Sequence, residues 1–162
     1  MSKFDPDIGL LPSVLDRLLD DDPQARQDRP SSLQATLGQI KSAVARDLET
    51  LLNTRREIQE DLPAEFHELH TSLVVYGLPD FIALSLLNPN DRKKIRRSVE
   101  QVVAAFEPRL KSARVTIEPR GKYDAALHFR IDAILEVQPV REQVVFDAVL
   151  QLNTYQYQVQ GG

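Results

Sequence analysis

The sequence predicts an α+β domain in which two main helices pack on a small, mainly antiparallel sheet, preceded by an N-terminal amphipathic helix. Apolar residues recur at steps of three and four in separate segments of the first two thirds of the chain and alternate with polar residues in the last third. Helical periodicity followed by strand periodicity is typical of helices packed on a meander of strands. The length of 162 residues suits one domain of ordinary size.

The bulk composition is that of a globular domain, excludes several kinds of functional site and disfavours one class of partner. Hydrophobic residues make up 42% and charged residues 27% of the chain, close to the averages for globular domains. Cysteine is absent, which excludes disulfides, thiolate metal sites and cysteine nucleophiles. The formal net charge of −4 disfavours nucleic acid as a partner. The absence of a signal pattern and of a long apolar run leads us to expect a cytoplasmic protein with no direct membrane insertion.

Residues 1–30 are predicted to form an N-terminal docking arm and linker. Apolar residues at helical spacing indicate a short amphipathic helix, which comprises Leu11, Val14, Leu15, Leu18 and Leu19. Three aspartates, 20–22, should end it, because carboxylates are unfavourable at the negative end of the helix dipole. The helix could fold back on the domain or dock on a partner, and the sequence leaves both open.

The domain proper is predicted to span residues 31–162 and to begin with a long helix. Ser31 or Ser32 can cap this helix. Its apolar stripe consists of Leu33, Leu37, Ile40, Val44, Leu48 and Leu51 or Leu52. Each fully buried aliphatic side chain contributes roughly 1.5–3 kcal/mol, so the stripe must face a core or a partner. The helix should end near Asn53.

A second helix is predicted from the Asn88-Pro89 start signal to the residue before Pro108. Between the two helices, residues 76–80 (YGLPD) form a turn sequence, because glycine supplies backbone freedom and proline restricts φ. Residues 73–75 (LVV) are interpreted as a short buried extended segment.

Three strands are predicted in the last third of the chain. Alternation of apolar and polar residues covers 113–117, 127–135 and 144–150, with turns at 119–122 and 138–139. A period of two with one polar face describes an antiparallel sheet covered on one side.

Four segments together carry a family resemblance: residues 11–18 (LPSVLDRL), 46–55 (RDLETLLNTR), 76–80 (YGLPD) and 106–110 (FEPRL). In this combination and spacing the chain, from about residue 11 to 150, resembles the TssE family of type VI secretion baseplate subunits. That family belongs to a phage baseplate-wedge group often labelled lysozyme-like. The resemblance implies a structural subunit that joins TssF- and TssG-like wedge partners and starts assembly of the contractile sheath.

The resemblance also implies that Glu107, Pro108 and Arg109 contact the helical core of the wedge. Separately, the apolar face of the N-terminal helix and the polar linker after it suggest that the arm residues Leu11, Leu15 and Leu18 dock on a partner. The residue chemistry is compatible, since a planar guanidinium recognises carboxylates and helix-end carbonyls. We expect Pro108 to hold a rigid turn from which Glu107 and Arg109 project. The alternative is that Glu107 and Arg109 form an ordinary exposed ion pair, which contributes about 0–1 kcal/mol to stability.

A second copy of the Glu-Pro-Arg tripeptide occupies residues 118–120, directly before Gly121. Proline is favoured at turn positions and here needs no binding role to account for it, so we interpret this copy as a hairpin turn.

The alternative function is a peptidoglycan-cleaving hydrolase, as the lysozyme label suggests. Such an enzyme needs two carboxyl groups about 5–9.5 Å apart, one of them with a raised pKa. Glu107 lies two residues from a permanent cation, and spacing reveals no partner carboxylate. A metal site at His67 and His70 is also disfavoured, because the order of residues lacks a base beside the ligands. We therefore expect no catalytic residue, no metal and no cofactor.

One dense basic cluster remains without a role. It comprises Arg92, Lys93, Lys94, Arg96 and Arg97. Cations in the first turns of a helix oppose its dipole, so an acidic segment of this chain or an acidic partner could compensate. The first interpretation is a solvated helix face, followed by docking on a protein, and nucleic-acid contact is the least favoured.

Overall fold

The computed structural model describes residues 13–15, 33–56, 65–81, 84, 88–118, 126–138, 140–151 and 156–161. Helix α1 (Leu33–Asn53) is followed by two 3₁₀ helices (His67–Thr71 and Leu73–Val75) and by α2 (Pro89–Phe106). Four strands complete the chain: β1 (Leu110–Glu118), β2 (Ala126–Val137), β3 (Val140–Gln151) and β4 (Gln156–Gly161). The predicted α+β architecture with two main helices is confirmed. Most of the predicted N-terminal helix lies outside the described residues.

Both main helices end where the sequence predicts. In α1 the apolar stripe is buried from Ile40 to Leu52, and the helix stops at Asn53. Helix α2 begins at Pro89 because the Asn88 side chain caps it, accepting a hydrogen bond from the Asn90 N–H at 2.9 Å. It ends one residue before Glu107, as expected of a chain that continues into proline.

The sheet is an antiparallel meander in the order β1-β2-β3-β4. Pairing of β2 with β3 is continuous from Ala126↔Gln151 to Val137↔Val140, so the two strands form a tight hairpin. A bulge interrupts β1 between Lys111 and Arg114, where Ser112 adopts a positive φ of 54°. The buried face of the sheet packs in one core with both helices and includes Val115, Phe129, Ile131, Leu135, Val144, Phe146 and Ala148.

The two edge strands are covered by side chains from the helices. At β4, Asn53 of α1 accepts a hydrogen bond from the Tyr157 N–H at 2.7 Å and donates one to the Tyr157 carbonyl at 2.9 Å. Glu49 accepts from the Val159 N–H at 3.0 Å. At β1, Glu100 of α2 accepts from the Val115 N–H, also at 3.0 Å. Edge strands otherwise leave a row of backbone groups unpaired, so these side chains take the place of a neighbouring strand.

Two sequence interpretations need correction. Strand β4 was not predicted, although Tyr157 and Val159 alternate with glutamines and are buried. Residues 73–75 are not a buried extended segment but a 3₁₀ helix, in which Leu73 is 83% and Val74 46% exposed while Val75 is buried. A 3₁₀ helix has three residues per turn, so three consecutive side chains point in three directions and cannot all enter the core.

Within the described part of the chain, no helix is long and apolar enough to cross a membrane.

Candidate partner-binding site

The centre of the candidate site is the guanidinium of Arg109, between the end of α2 and the start of β1. Its Nε donates to Glu107 Oε1 at 2.7 Å and its Nη2 donates to Glu107 Oε2 at 2.6 Å. Nη2 also donates to Oδ2 of Asp47, on α1, at 2.5 Å. This bidentate pair of hydrogen bonds to Glu107 requires the planar guanidinium of arginine, and the ammonium group of lysine cannot form it. We call these three residues the Asp47–Glu107–Arg109 cluster.

Burial differs across the cluster. The side chain of Glu107 is 4% exposed, that of Arg109 24% and that of Asp47 32%. A carboxylate as buried as Glu107 needs a cation and hydrogen bonds to remain charged. The hydrogen bonds that Arg109 donates to Glu107 in turn raise the pKa of the Arg109 guanidinium above its ordinary value, so the cation is permanent.

The backbone around Pro108 is fixed by further hydrogen bonds. Glu107 closes α2 with its N–H on the Val103 carbonyl at 2.9 Å, and its own carbonyl accepts from the Leu110 N–H at 3.1 Å. The Arg109 carbonyl accepts from the Glu136 N–H of β2 at 2.8 Å. The turn is therefore rigid, as the sequence predicts, and Pro108 at its tip is exposed.

The expectation that both charged side chains project from this turn is wrong for Glu107. Glu107 is among the few buried polar residues of the described chain, because Arg109 folds back over it and Asp47 approaches from α1. What the turn presents to solvent is Pro108 and part of the side chains of Asp47 and Arg109. Nη1 makes no hydrogen bond with any described residue.

The turn at residues 76–80 packs beside this cluster. The Tyr76 ring meets the Phe106 ring edge to face, with centroids 5.1 Å apart and planes at 73°. Burial raises the pKa of the Tyr76 phenol, and the negative charges of Asp47 and Glu107 raise it further.

The same turn is joined to the end of α1. The Leu78 N–H donates to the Thr54 carbonyl and the Arg56 N–H donates to the Leu78 carbonyl, both at 2.8 Å. Gly77 has φ +97°, and a Cβ placed there would lie 2.3 Å from the Thr54 carbonyl oxygen. Only glycine fits, because a side chain would be strained by the backbone angle and would collide with backbone. Three of the four segments that carry the resemblance thus meet at one place.

A comparison with known families matches the same region. The sequence model described as "Baseplate wedge protein gp25" matches residues 38–140. The match covers more than half of the chain and includes the Asp47–Glu107–Arg109 cluster and the turn at 76–80.

The chain belongs to the gp25 family of baseplate wedge proteins. No curated protein matches its sequence. Membership assigns the chain a structural role in a phage-tail-like baseplate, in agreement with the resemblance to a baseplate family. The role of Glu107, Pro108 and Arg109 in partner binding stays a prediction.

The arm lies before the region matched by the gp25 family model. Leu15 is 56% exposed and its neighbour Val14 74% exposed, whereas Leu11 and Leu18 lie outside the described residues. The second Glu-Pro-Arg copy is only partly described: Glu118 pairs with His128 at the end of β1, and Pro119 and Arg120 lie outside.

The structure also bears on the two enzymatic alternatives. Asp47 is a carboxylate near Glu107 that spacing did not reveal, since 60 positions separate them. Arg109 donates to both oxygens of Glu107 and to one oxygen of Asp47, so the two carboxylates share a single cation. His67 and His70 are exposed on a 3₁₀ helix. The described residues contain no group of three or more metal-ligating side chains.

Proposed function

We propose that this gp25-family protein is the TssE-type subunit of a type VI secretion baseplate. In this role it joins TssF- and TssG-like wedge subunits in the cytoplasm and starts assembly of the contractile sheath. The observation that carries the proposal is the convergence of three family-like segments on the Asp47–Glu107–Arg109 cluster, inside the region matched by the family model.

The geometry suits a docking site. The cluster is held by α1, α2 and β2 rather than by a free loop, so little conformational entropy is lost when a partner binds. Arg109 is permanently charged, and its Nη1 is available to a partner carboxylate or to the carbonyls at a helix end. Pro108 adds a rigid apolar contact at the tip. The exposed arm residue Leu15 supplies a second, separate contact.

A single Arg109 substitution cannot by itself separate binding from folding, because Arg109 also neutralises buried Glu107. A double substitution can separate them. Replacing a whole buried ion pair by neutral groups of similar size is often close to neutral for stability, whereas removing one partner is costly. The variant Glu107→Gln with Arg109→Met should therefore fold nearly as well as the wild type while it lacks the guanidinium.

The test measures capture of co-expressed TssF- and TssG-like subunits by the wild type, by this double variant and by Arg120→Ala. We expect the double variant to lose about 2–5 kcal/mol of binding, a factor of roughly 30 to several thousand in affinity. Arg120→Ala should bind almost normally. Full capture by the double variant would show that the cluster is only an internal brace, and loss of capture by Arg120→Ala alone would move the site to the second tripeptide.

The proposal includes no catalytic activity. Purified protein should not lyse peptidoglycan above the level of Glu107→Gln, because Arg109 occupies both oxygens of that carboxylate. Turbidity of a peptidoglycan suspension measures this directly. Lysis by the wild type that disappears in Glu107→Gln would establish the hydrolase instead.

A further inference from the structure

A cavity of about 290 Å³ opens beside α2, on the side that faces the 3₁₀ helices and the turn at 76–80. Its polar lining includes Arg56, His70, Ser98 and Gln101, and its apolar lining includes Val102 and Phe106. Phe106 also contacts Tyr76, so the cavity adjoins the Asp47–Glu107–Arg109 cluster without sharing its charged residues.

Arg56 supplies a cationic hydrogen-bond donor to the lining of this cavity. Its backbone N–H is bonded to the Leu78 carbonyl at 2.8 Å, which fixes the residue at the cavity. Its side-chain Nε is buried and has no hydrogen-bond partner among the described residues. Neighbouring Arg55 differs, because its guanidinium is 60% exposed and pairs with Asp80 at 3.4 Å. Buried donors in native proteins almost always have an acceptor, so the unpartnered Nε–H indicates an acceptor that a ligand supplies.

The charge on α2 indicates the kind of acceptor. Five of the 20 lysines and arginines of the chain stand within residues 92–97, although the whole chain carries a net charge of −4. None of the five forms an ion pair with a described residue. Lys94 lies one helical turn before Ser98, on the side of α2 that lines the cavity. Cations in this position raise the local concentration of anionic partners.

We propose that the cavity binds a glutamate or aspartate side chain presented by an acidic segment of another protein. The carboxylate accepts from Arg56 Nε, Ser98 and Gln101 complete its hydrogen bonds, and the aliphatic part of the side chain contacts Val102 and Phe106. One buried donor between apolar walls suits a single carboxylate better than a row of phosphates. The net charge of −4 disfavours a polyanion as well.

The test is a ¹⁵N NMR titration of the full chain with an alanine-rich helical peptide that carries two glutamates four residues apart. Its control is the same peptide with glutamines. The glutamate peptide should shift the Arg56 Nε–H resonance and the amides of Ser98 and Ala105, and should bind at least about tenfold more tightly than the control. Arg56→Ala should weaken binding by about tenfold or more, and the matched variant Arg55→Ala by less than about twofold.

Ala105→Leu keeps Arg56 and narrows the cavity, so it should also weaken binding of the glutamate peptide. This variant provides the test if Arg56→Ala fails to fold. Four results would overturn the proposal. They are glutamine-peptide binding of equal strength, shifts confined to residues 92–97, sodium acetate binding as tightly as the peptide, and short duplex DNA competing at the same sites. Because the probe is a model peptide, any of these results would leave the proposed baseplate role intact.

Discussion

Removing the Arg109 side chain should destabilise the isolated protein. In Arg109→Ala the Glu107 carboxylate, 4% exposed, loses both of its side-chain hydrogen bonds, and Asp47 loses one. A buried charge without its partner is among the costly defects in a folded protein.

The magnitude follows from the burial of each group. Breaking a fully buried ion pair costs about 3–5 kcal/mol. Arg109 is 24% and Asp47 32% exposed, so water can reach the space that the guanidinium leaves. This lowers the expected cost to about 2–4 kcal/mol. For a chain of this size the corresponding decrease in Tm is roughly 5–15 °C.

The assay is chemical denaturation followed by circular dichroism, with four proteins compared. Asp47→Ala should cost only about 0.5–1 kcal/mol, because Asp47 is one-third exposed and Glu107 keeps its cation. The double variant Glu107→Gln with Arg109→Met should lie within about 1.5 kcal/mol of the wild type. The expected order of stability is therefore wild type, then Asp47→Ala and the double variant, with Arg109→Ala lowest.

A change of less than about 0.5 kcal/mol for Arg109→Ala would refute this reasoning, since that is the range of a surface substitution. It would mean that Glu107 finds another partner or takes up a proton at little cost. A double variant as unstable as Arg109→Ala would refute the ion-pair account in another way, by placing the cost in lost packing.

Three further predictions concern other parts of the molecule. Gly77→Ala should destabilise by at least about 2 kcal/mol, because a Cβ would meet the Thr54 carbonyl at a positive φ; thermal melting beside an exposed Gly38→Ala control measures it. Asn53→Ala should cost about 1–3 kcal/mol and speed hydrogen exchange at the Tyr157 amide, and unchanged protection there would refute the edge-capping role. Deleting residues 1–29 should leave Tm nearly unchanged but weaken wedge binding, whereas a loss of several kcal/mol would place the arm in the core.

Local patterns in the sequence were sufficient for the main elements. The ends of both helices depend on interactions between residues a few positions apart, such as Asn88 with Asn90. The alternation in the last third predicted β1, β2 and β3 for the same reason, because side chains of a strand point to opposite faces whatever the strand pairs with. The family resemblance also rested on short segments, and the match over residues 38–140 confirmed the baseplate-wedge family.

Contacts between distant positions were decided only by the tertiary structure. Asp47 meets Arg109 across 62 positions, and Asn53 meets Tyr157 across 104. Neither pairing has a periodic signal, because one polar side chain on a helix looks the same whether it faces water or another element. The sequence pattern therefore predicted that Glu107 projects into solvent. Its burial is created by Arg109 and by α1, a helix that ends more than 50 residues earlier. The sequence by itself determined the elements and the family, and the packing of α1 against the end of α2 decided which charges are buried and which remain partly exposed to solvent.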